Sequence, residues 1–526
     1  MWVAQMTMRT DKFLVGLLIL VSMMFNSGCD QNRNGANEIL VDGDVVVLAA
    51  NRHLAPGEKD GYYCSKILQV WEPLITNHEV TGKPEPGLAE RWEMKEAGKV
   101  WQFSLRKDVY FHDGTKFNAD AVLKNFERMQ KGLKKSNFYA MDINTFYPGL
   151  VKYEKIDEYT IQLTFSTQNV DQLYHMMNFG SAMYSPACFD EQGNFREPAI
   201  GTGPFKIKEN VAHQYVLLER NEQYYGTLAK SKQILIKNIP SPEVRYSALK
   251  AEEIMGVLDL NAIPPVLAEE IRQDDRFAVS VSKSMMTRFL LVNGSKFPFQ
   301  DVRMRRALSL AIDRQALVSS LYLNYAKPTV NMINYTSPFY KELRVEHDLE
   351  QARALVEQVL KGKRYTLLYC IDGADPLQKG EAELIAYWLD QIGLDVKIQA
   401  LEYSTMQAKL RRGEYDIARS QQGLPNGNPY FIFNAFMMPQ GARNVGSSLG
   451  YKNQEVIDLM DEVKQCVSES KRQKIFDRLQ EISAEELPIV PLFQDMNIVA
   501  YHKRLQGYRA QTYGITLSDI EVKRGE

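Results

Sequence analysis

The sequence is short of the residues from which most active sites are built. Seven histidines and five cysteines are scattered over 526 positions. They form no C-x-x-C pair and no Cys/His cluster, so a zinc site is not indicated. No G-x-S-x-G, H-E-x-x-H or Walker sequence occurs, which leaves the common hydrolase, metalloprotease and phosphate-loop chemistries without their machinery. An enzyme is not expected. An excess of either charge is also missing: 63 Lys and Arg stand against 65 Asp and Glu. The chain therefore has no electrostatic footprint for nucleic acid. After the first residues, no stretch of about 18 apolar residues reads as a membrane span. Internal repeats and low-complexity segments are lacking.

What the chain does have is an ordinary globular composition, 45% hydrophobic and 24% charged, in a length that can bury a large core and whose prior is about three domains. Residues 1–28 read as a signal peptide. A basic segment with Arg9 and Lys12 precedes the apolar run Phe13–Phe25, which is too short to span a bilayer comfortably and fits a secretory h-region. Ser27-Gly28-Cys29 closes it like a lipobox, with Asn26 where Leu or Val is usual, so a lipid anchor is expected on Cys29. Residues 29–37 form a polar tether rich in Gly and Asn, and Asp30 fits retention at the inner membrane. Cys64, Cys188, Cys370 and Cys466 then lie in an oxidising compartment. One or two disulfides are open, and their pairing is not legible.

Along the chain, Val45–Ala50 reads as a buried strand, and Val100–Arg106 and Tyr159–Phe165 alternate as half-buried strands. Asp113-Gly114 marks a turn. Asn118 is placed to cap a helix whose apolar residues Val122, Leu123, Phe126 and Met129 share a face. His112, just before that turn, is assigned a structural role. Ala199–Gly226 reads as two short strands joined by a polar loop. Its Gly201-Thr202-Gly203-Pro204 is followed by a strand and not by a helix N-terminus, which argues against phosphate binding. Ile234–Ile236 and Gly256–Leu260 read as strands. Asp301 opens a helix through Ile312, and Asp348 with Gln351 resembles a capping box. Tyr365–Ile371, a helix Glu381–Ile392 ended by Gly393, and Asp395–Ala400 make a βαβ unit whose strands are expected to be parallel. Tyr415–Ile417 adds a strand, and Val456–Val463 and Ile475–Ile482 are amphipathic helices.

Three blocks in this order carry a family resemblance: LAERW followed by the strand and turn LRKDVYFHDGTKFNADAVLKNFER, then AIGTGPFKIKEN with RNEQYYG, and the VRMRRALSLAIDR helix. The chain resembles the family 5 extracytoplasmic solute-binding proteins of ABC importers, the peptide- and nickel-binding group, and its spacing is closest to the nickel-type branch. The resemblance implies a two-lobed α/β fold of the large periplasmic-binding-protein class, with a ligand cleft between lobes and two hinge crossings. Lobe I would take residues 38–288 with an inserted subdomain at about 83–198, lobe II residues 289–490, and residues 491–526 would return to lobe I. Leu68–Leu74 would end a helix in the family's "YEPL" manner.

The resemblance also implies a function. A monomer would capture a small peptide-like or metal-chelate solute by hinge closure and deliver it to a permease and its ATPase, from a periplasmic position held by lipid at the inner membrane, or from the cell surface in a Gram-positive organism. A ligand-sensing lipoprotein of the same fold, acting on a receptor, is the alternative. No cofactor is implied, and metal enters only inside a bound chelate. The nickel branch's Arg–Trp pair falls at Lys135 and Phe138, its second arginine near Phe179, its loop histidine near Gly441 with Arg443 close by, and its chelate-facing methionine at Cys64 beside Tyr63. Arginine suits such a ligand because its planar fork pairs carboxylates in bidentate fashion. The peptide branches' amine-binding aspartate falls at Pro425, in the loop with Asn426 and Asn428, where no acid stands. These positions are the expected ligand-binding set.

Overall fold

The computed structural model describes residues 45–52, 54, 67–131, 143–177, 179–193, 196, 200–261 and 263–523. The signal peptide, Cys29 and the tether lie outside the described residues. So do Tyr63, Cys64, Lys135 and Phe138.

One 11-stranded sheet runs through both lobes. Its first half is ordered Phe205–Val211, Tyr215–Arg220, Gln233–Asn238, Val45–Ala50 and Gly256–Val257, and its second half ends in Ile417–Gly423, Tyr365–Asp372 and Leu394–Leu401. Two long antiparallel strands, Phe277–Val292 and Ile489–His502, join the halves. Their register shifts between Lys283 and Thr287 and again between Arg288 and Phe289. An irregularity of this kind bends a ribbon, and it falls where the strands leave one hydrophobic core for the other.

Each lobe is built on its own apolar clusters. The first packs Val46–Ala50, Ile234–Ile236, Phe277 and Val499 with the C-terminal residues Ile515, Leu517 and Ile520. The second lobe carries a cluster on each face of its strands: Leu367, Tyr369 and Ile371 pack against Ile385 and Leu389 of the helix Pro376–Asp390, and Cys370 and Ala418 against Met406 and Leu410 of the helix Tyr403–Arg411. A further cluster belongs to the four-stranded sheet of residues 89–165 and the helix Ala119–Lys131.

Most of the expected elements are present. Asn118 accepts from Ala121 N at 3.1 Å, Asp301 and Asp348 cap their helices, and Tyr365–Asp372 pairs in parallel with Leu394–Leu401. The helix expected from Glu381 begins at Pro376, capped by Asp375. The strand expected at Tyr415–Ile417 runs from Ile417 to Gly423. One expectation is corrected. Leu68–Leu74 is not helical; Glu72–Pro73 is a short strand paired with Ala182–Met183. The reason is contact with the Gly201–Pro204 segment: Gly203 N donates to Val70 O at 2.9 Å, so this stretch must present an extended edge. A Cβ on Gly201 would lie 2.0 Å from Val70 O. Cys370 and Cys466 are free thiols.

Candidate functional site

The GTGP hallmark does its work inside lobe I. Glu72 accepts hydrogen bonds from Thr202 Oγ1 at 2.8 Å and from the Tyr224 and Tyr225 hydroxyls at 2.8 and 2.9 Å. Residues distant in sequence thus meet on one carboxylate. Burial pushes the Glu72 pKa up, against the lowering by these hydroxyls. His112 bonds Gly203 O through Nε2 at 2.9 Å, and burial holds its pKa down to about 4, as suits a neutral structural histidine. A cavity of about 410 Å³ lies beside this cluster, lined by Trp71, Glu72, Arg106, Tyr224 and Tyr225 among others. All its described walls come from the first lobe and the C-terminal segment. Its one carboxylate is already engaged, so it is a seam of the architecture.

A second, largely polar pocket lies within lobe II, at the carboxyl ends of Tyr365–Asp372 and Ile417–Gly423. Asp372, Gln378, Tyr403, Gln407, Arg419, Ser420, Gln421 and Arg443 line it. The helices that follow the two neighbouring parallel strands pack on opposite faces of the sheet, and the crevice at such a switch point is where open α/β sheets bind ligands. The pocket holds about 80 Å³, room for the end of a ligand where a whole small-molecule site needs several hundred.

Its two arginines differ. Arg419 is fully buried and paired with Glu381, which also accepts from the Tyr322 hydroxyl. Arg443 is half-buried, and its hydrogen bond is a long one, from Nη2 to Gln422 Oε1 at 3.3 Å. Among the described residues no carboxylate lies within ion-pair distance of Arg443.

The other expected residues fall in two groups. Pro425 is half-buried, while Asn426 and Asn428 are buried at 3% and 0% exposure. Asn426 Oδ1 accepts from Asn428 N, and Asn428 Oδ1 from Tyr430 N, so both side chains shape the loop. Phe179 begins a short 3-10 turn, Phe179–Ser181. Just before it, the first lobe touches the second: the rings of Tyr174 and Phe339 lie 6.2 Å apart and those of His175 and Phe431 5.0 Å apart. Asp171 is paired with Arg472, and Asn428 Nδ2 is buried with no hydrogen-bond partner among the described residues. No periodicity or motif pointed to Asp171, Arg472 or the Gln421–Gln422 edge. Among the described residues no group of His, Cys, Asp and Glu could hold a metal ion.

Comparison with known proteins agrees with this geometry. Residues 83–444 match the profile of bacterial extracellular solute-binding proteins, family 5 Middle. The probable D,D-dipeptide-binding periplasmic protein DdpA of Escherichia coli is 25% identical over 433 residues, covering 81% of this chain and 82% of that protein. The nickel-binding periplasmic protein of the same organism is also 25% identical over 433 residues, covering 77% and 80%. In structure the chain is similar to NikA from Brucella suis in complex with Fe(III)-EDTA, at a TM-score of 0.80 and 22% identity over 91% of this chain and 100% of that one. The crossing strands, the lobe contacts and the hallmark seam around Glu72 thus meet a sequence match over most of the chain, and the protein belongs to the bacterial extracellular solute-binding proteins of family 5.

Proposed function

We propose that the protein captures a small solute bearing a carboxylate, peptide-like or metal-chelate, between its lobes, and delivers it to the permease and ATPase of an ABC importer. The observation that carries the ligand chemistry is Arg443. It faces a polar pocket at the sheet's carboxyl edge that Asp372 also lines, half-buried and with no carboxylate among the described residues within ion-pair distance, while Arg419 in the same pocket is already neutralised by Glu381. A cation in that position favours an anionic group from outside the chain. Relatives that bind a dipeptide, nickel and haem by name support the range of ligands. The loop 423–431 contains no acid to meet a peptide's α-ammonium, which favours a chelate over a peptide with a free N-terminus. Lys135, Phe138, Phe179, Tyr63 and Cys64 complete the proposed site on the lobe I side, and the chain is proposed to sit at the membrane through lipid on Cys29.

Native mass spectrometry with metal analysis of the protein as purified from its own extracytoplasmic space tests this reading. An anionic chelate or a carboxylate-bearing small molecule is expected. A neutral or cationic ligand, bound equally by Arg443→Ala, would overturn it.

A further inference from the structure

We propose that Asp171 and Arg472 form a latch that licenses closure of the lobes, and that the loop 424–429, whose Gly427 meets Gly82 of the first lobe, ties this latch to the ligand pocket.

Asp171 stands at the start of the helix Gln172–Met176 in the first lobe, and Arg472 lies in the helix Glu469–Glu486 of the second. An aspartate before a helix ordinarily turns back to cap its amides. Asp171 makes no such bond; its carboxylate is spent across the lobe boundary on Arg472, 301 residues away. The side chains are only 9% and 7% exposed. Separating the lobes would return both to water, so this pair exists as a buried pair only when the lobes meet.

Arg472 is held ready from its own side. Its Nη1 donates to the Val463 carbonyl at 3.3 Å, and its guanidinium lies over the rings of Phe339 and Phe476 at 5.7 and 5.6 Å. A prepositioned planar cation loses little freedom when its partner arrives. Among the described residues a further ion pair joins the lobes, Lys83–Glu469, which is 50% and 70% exposed and contributes little.

A buried ion pair adds modestly when matched but is costly when one member is missing. The latch therefore works chiefly as a check of register. The lobes can dry their contact only if Asp171 arrives opposite Arg472. Two turns make the approach close enough: a Cβ on Gly82 would sit 2.8 Å from Thr336 O, and one on Gly427 would sit 3.3 Å from Gly82 O. Gly427 and Asn428 belong to the loop that leaves the strand Ile417–Gly423 just after the pocket residues Ser420 and Gln421. Ser337 Oγ bonds Gly427 O at 2.6 Å and Leu424 N bonds Met285 O at 3.0 Å, so the loop is braced at both ends. Occupancy of the pocket and alignment of the latch are read by one short segment.

The test is a double-mutant cycle on the closed fraction, measured by small-angle X-ray scattering of the full mature protein as purified, with circular dichroism melts to verify folding. Asp171→Asn and Arg472→Gln should each at least halve the closed fraction, and the double variant should be no more open than the worse single one, because the two act as one unit. Arg472→Lys, which keeps the charge and loses the fork, should fall between wild type and Arg472→Gln. Four identical scattering profiles, additive effects, or a lysine variant more open than the glutamine one would each overturn the proposal.

Discussion

Arg288 and Asp495 clamp the two strands that carry the chain between lobes. Arg288 Nε lies 3.0 and 2.8 Å from the two carboxylate oxygens of Asp495, and Nη2 lies 2.6 Å from Oδ2. Their strands pair here, Thr287 with Gln494 and Arg288 with Phe493, directly after the register shift at Lys283–Thr287. The bidentate fork fixes a ribbon that has just been bent. Asp495 is 9% exposed, and burial tends to lower the Arg288 pKa while Asp495 more than restores it.

Removing one partner is therefore expected to leave a buried charge uncompensated. Asp495→Asn should lower unfolding stability by about 3 kcal/mol, seen as a reduced denaturant midpoint. Arg288→Met/Asp495→Leu, which removes both charges, should recover most of that loss. A double variant as unstable as Asp495→Asn would show that the clamp acts by its geometry instead of its charge.

Arg443 is expected to matter for ligand and not for folding. Arg443→Ala should weaken binding of the co-purifying ligand by about 2 kcal/mol or more, over tenfold. Its melting temperature without ligand should stay close to wild type, since the side chain is half-buried and holds only one long hydrogen bond. Isothermal titration with the ligand recovered by mass spectrometry, beside a melt of each protein, measures both quantities.

Acid should destabilise the protein through two buried histidines. His112 and His175 are both held near pKa 4 by burial, against about 6.5 in an unfolded chain. The unfolded state therefore takes up protons first as pH falls, and the stability that neutral burial allows is intact above about 6.5 and lost progressively down to about 4. His112→Gln should lose less stability than wild type over that window, by about 2–3 kcal/mol. Denaturant melts at pH 7, 5.5 and 4.5 would show it, and parallel curves for the two proteins would refute it.

Two glycines should separate by what surrounds them. Gly201→Ala would drive a Cβ into the Val70 carbonyl, and a loss of 3 kcal/mol or more, or failure to fold, is expected from such an overlap with backbone. Gly446→Ala meets nothing within 4 Å and lies in a helix, where alanine is the better residue by up to about 1 kcal/mol. Thermal melts of the two variants, one far below wild type and one equal or above, are the outcome sought.

The chain's local chemistry was enough to place most helices and strands. Capping by Asn118, Asp301 and Asp348 and alternation in Val100–Leu105 are properties of neighbours in sequence, and neighbours in sequence can be read. The hallmark blocks pointed to the family, because a seam such as Glu72 with Thr202, Tyr224 and Tyr225 needs those residue types together, and their order survives in the linear text. The family resemblance misled at Leu68–Leu74, where contact with a glycine segment more than a hundred residues away holds the stretch out of a helix.

The candidate site was legible in part. Arg443 and the 423–431 loop were found from motif position, but the difference between Arg443 and Arg419 was not, since it rests on Glu381 from another element. Asp171 and Arg472 were beyond reach for the same reason. Residue type, spacing and caps set which elements form and which family they build; which charges are neutralised, and which are left for a ligand or a partner lobe, depends on groups brought together from separate elements, 38 residues apart for Glu381 and Arg419 and 301 for Asp171 and Arg472, and only packing decides that.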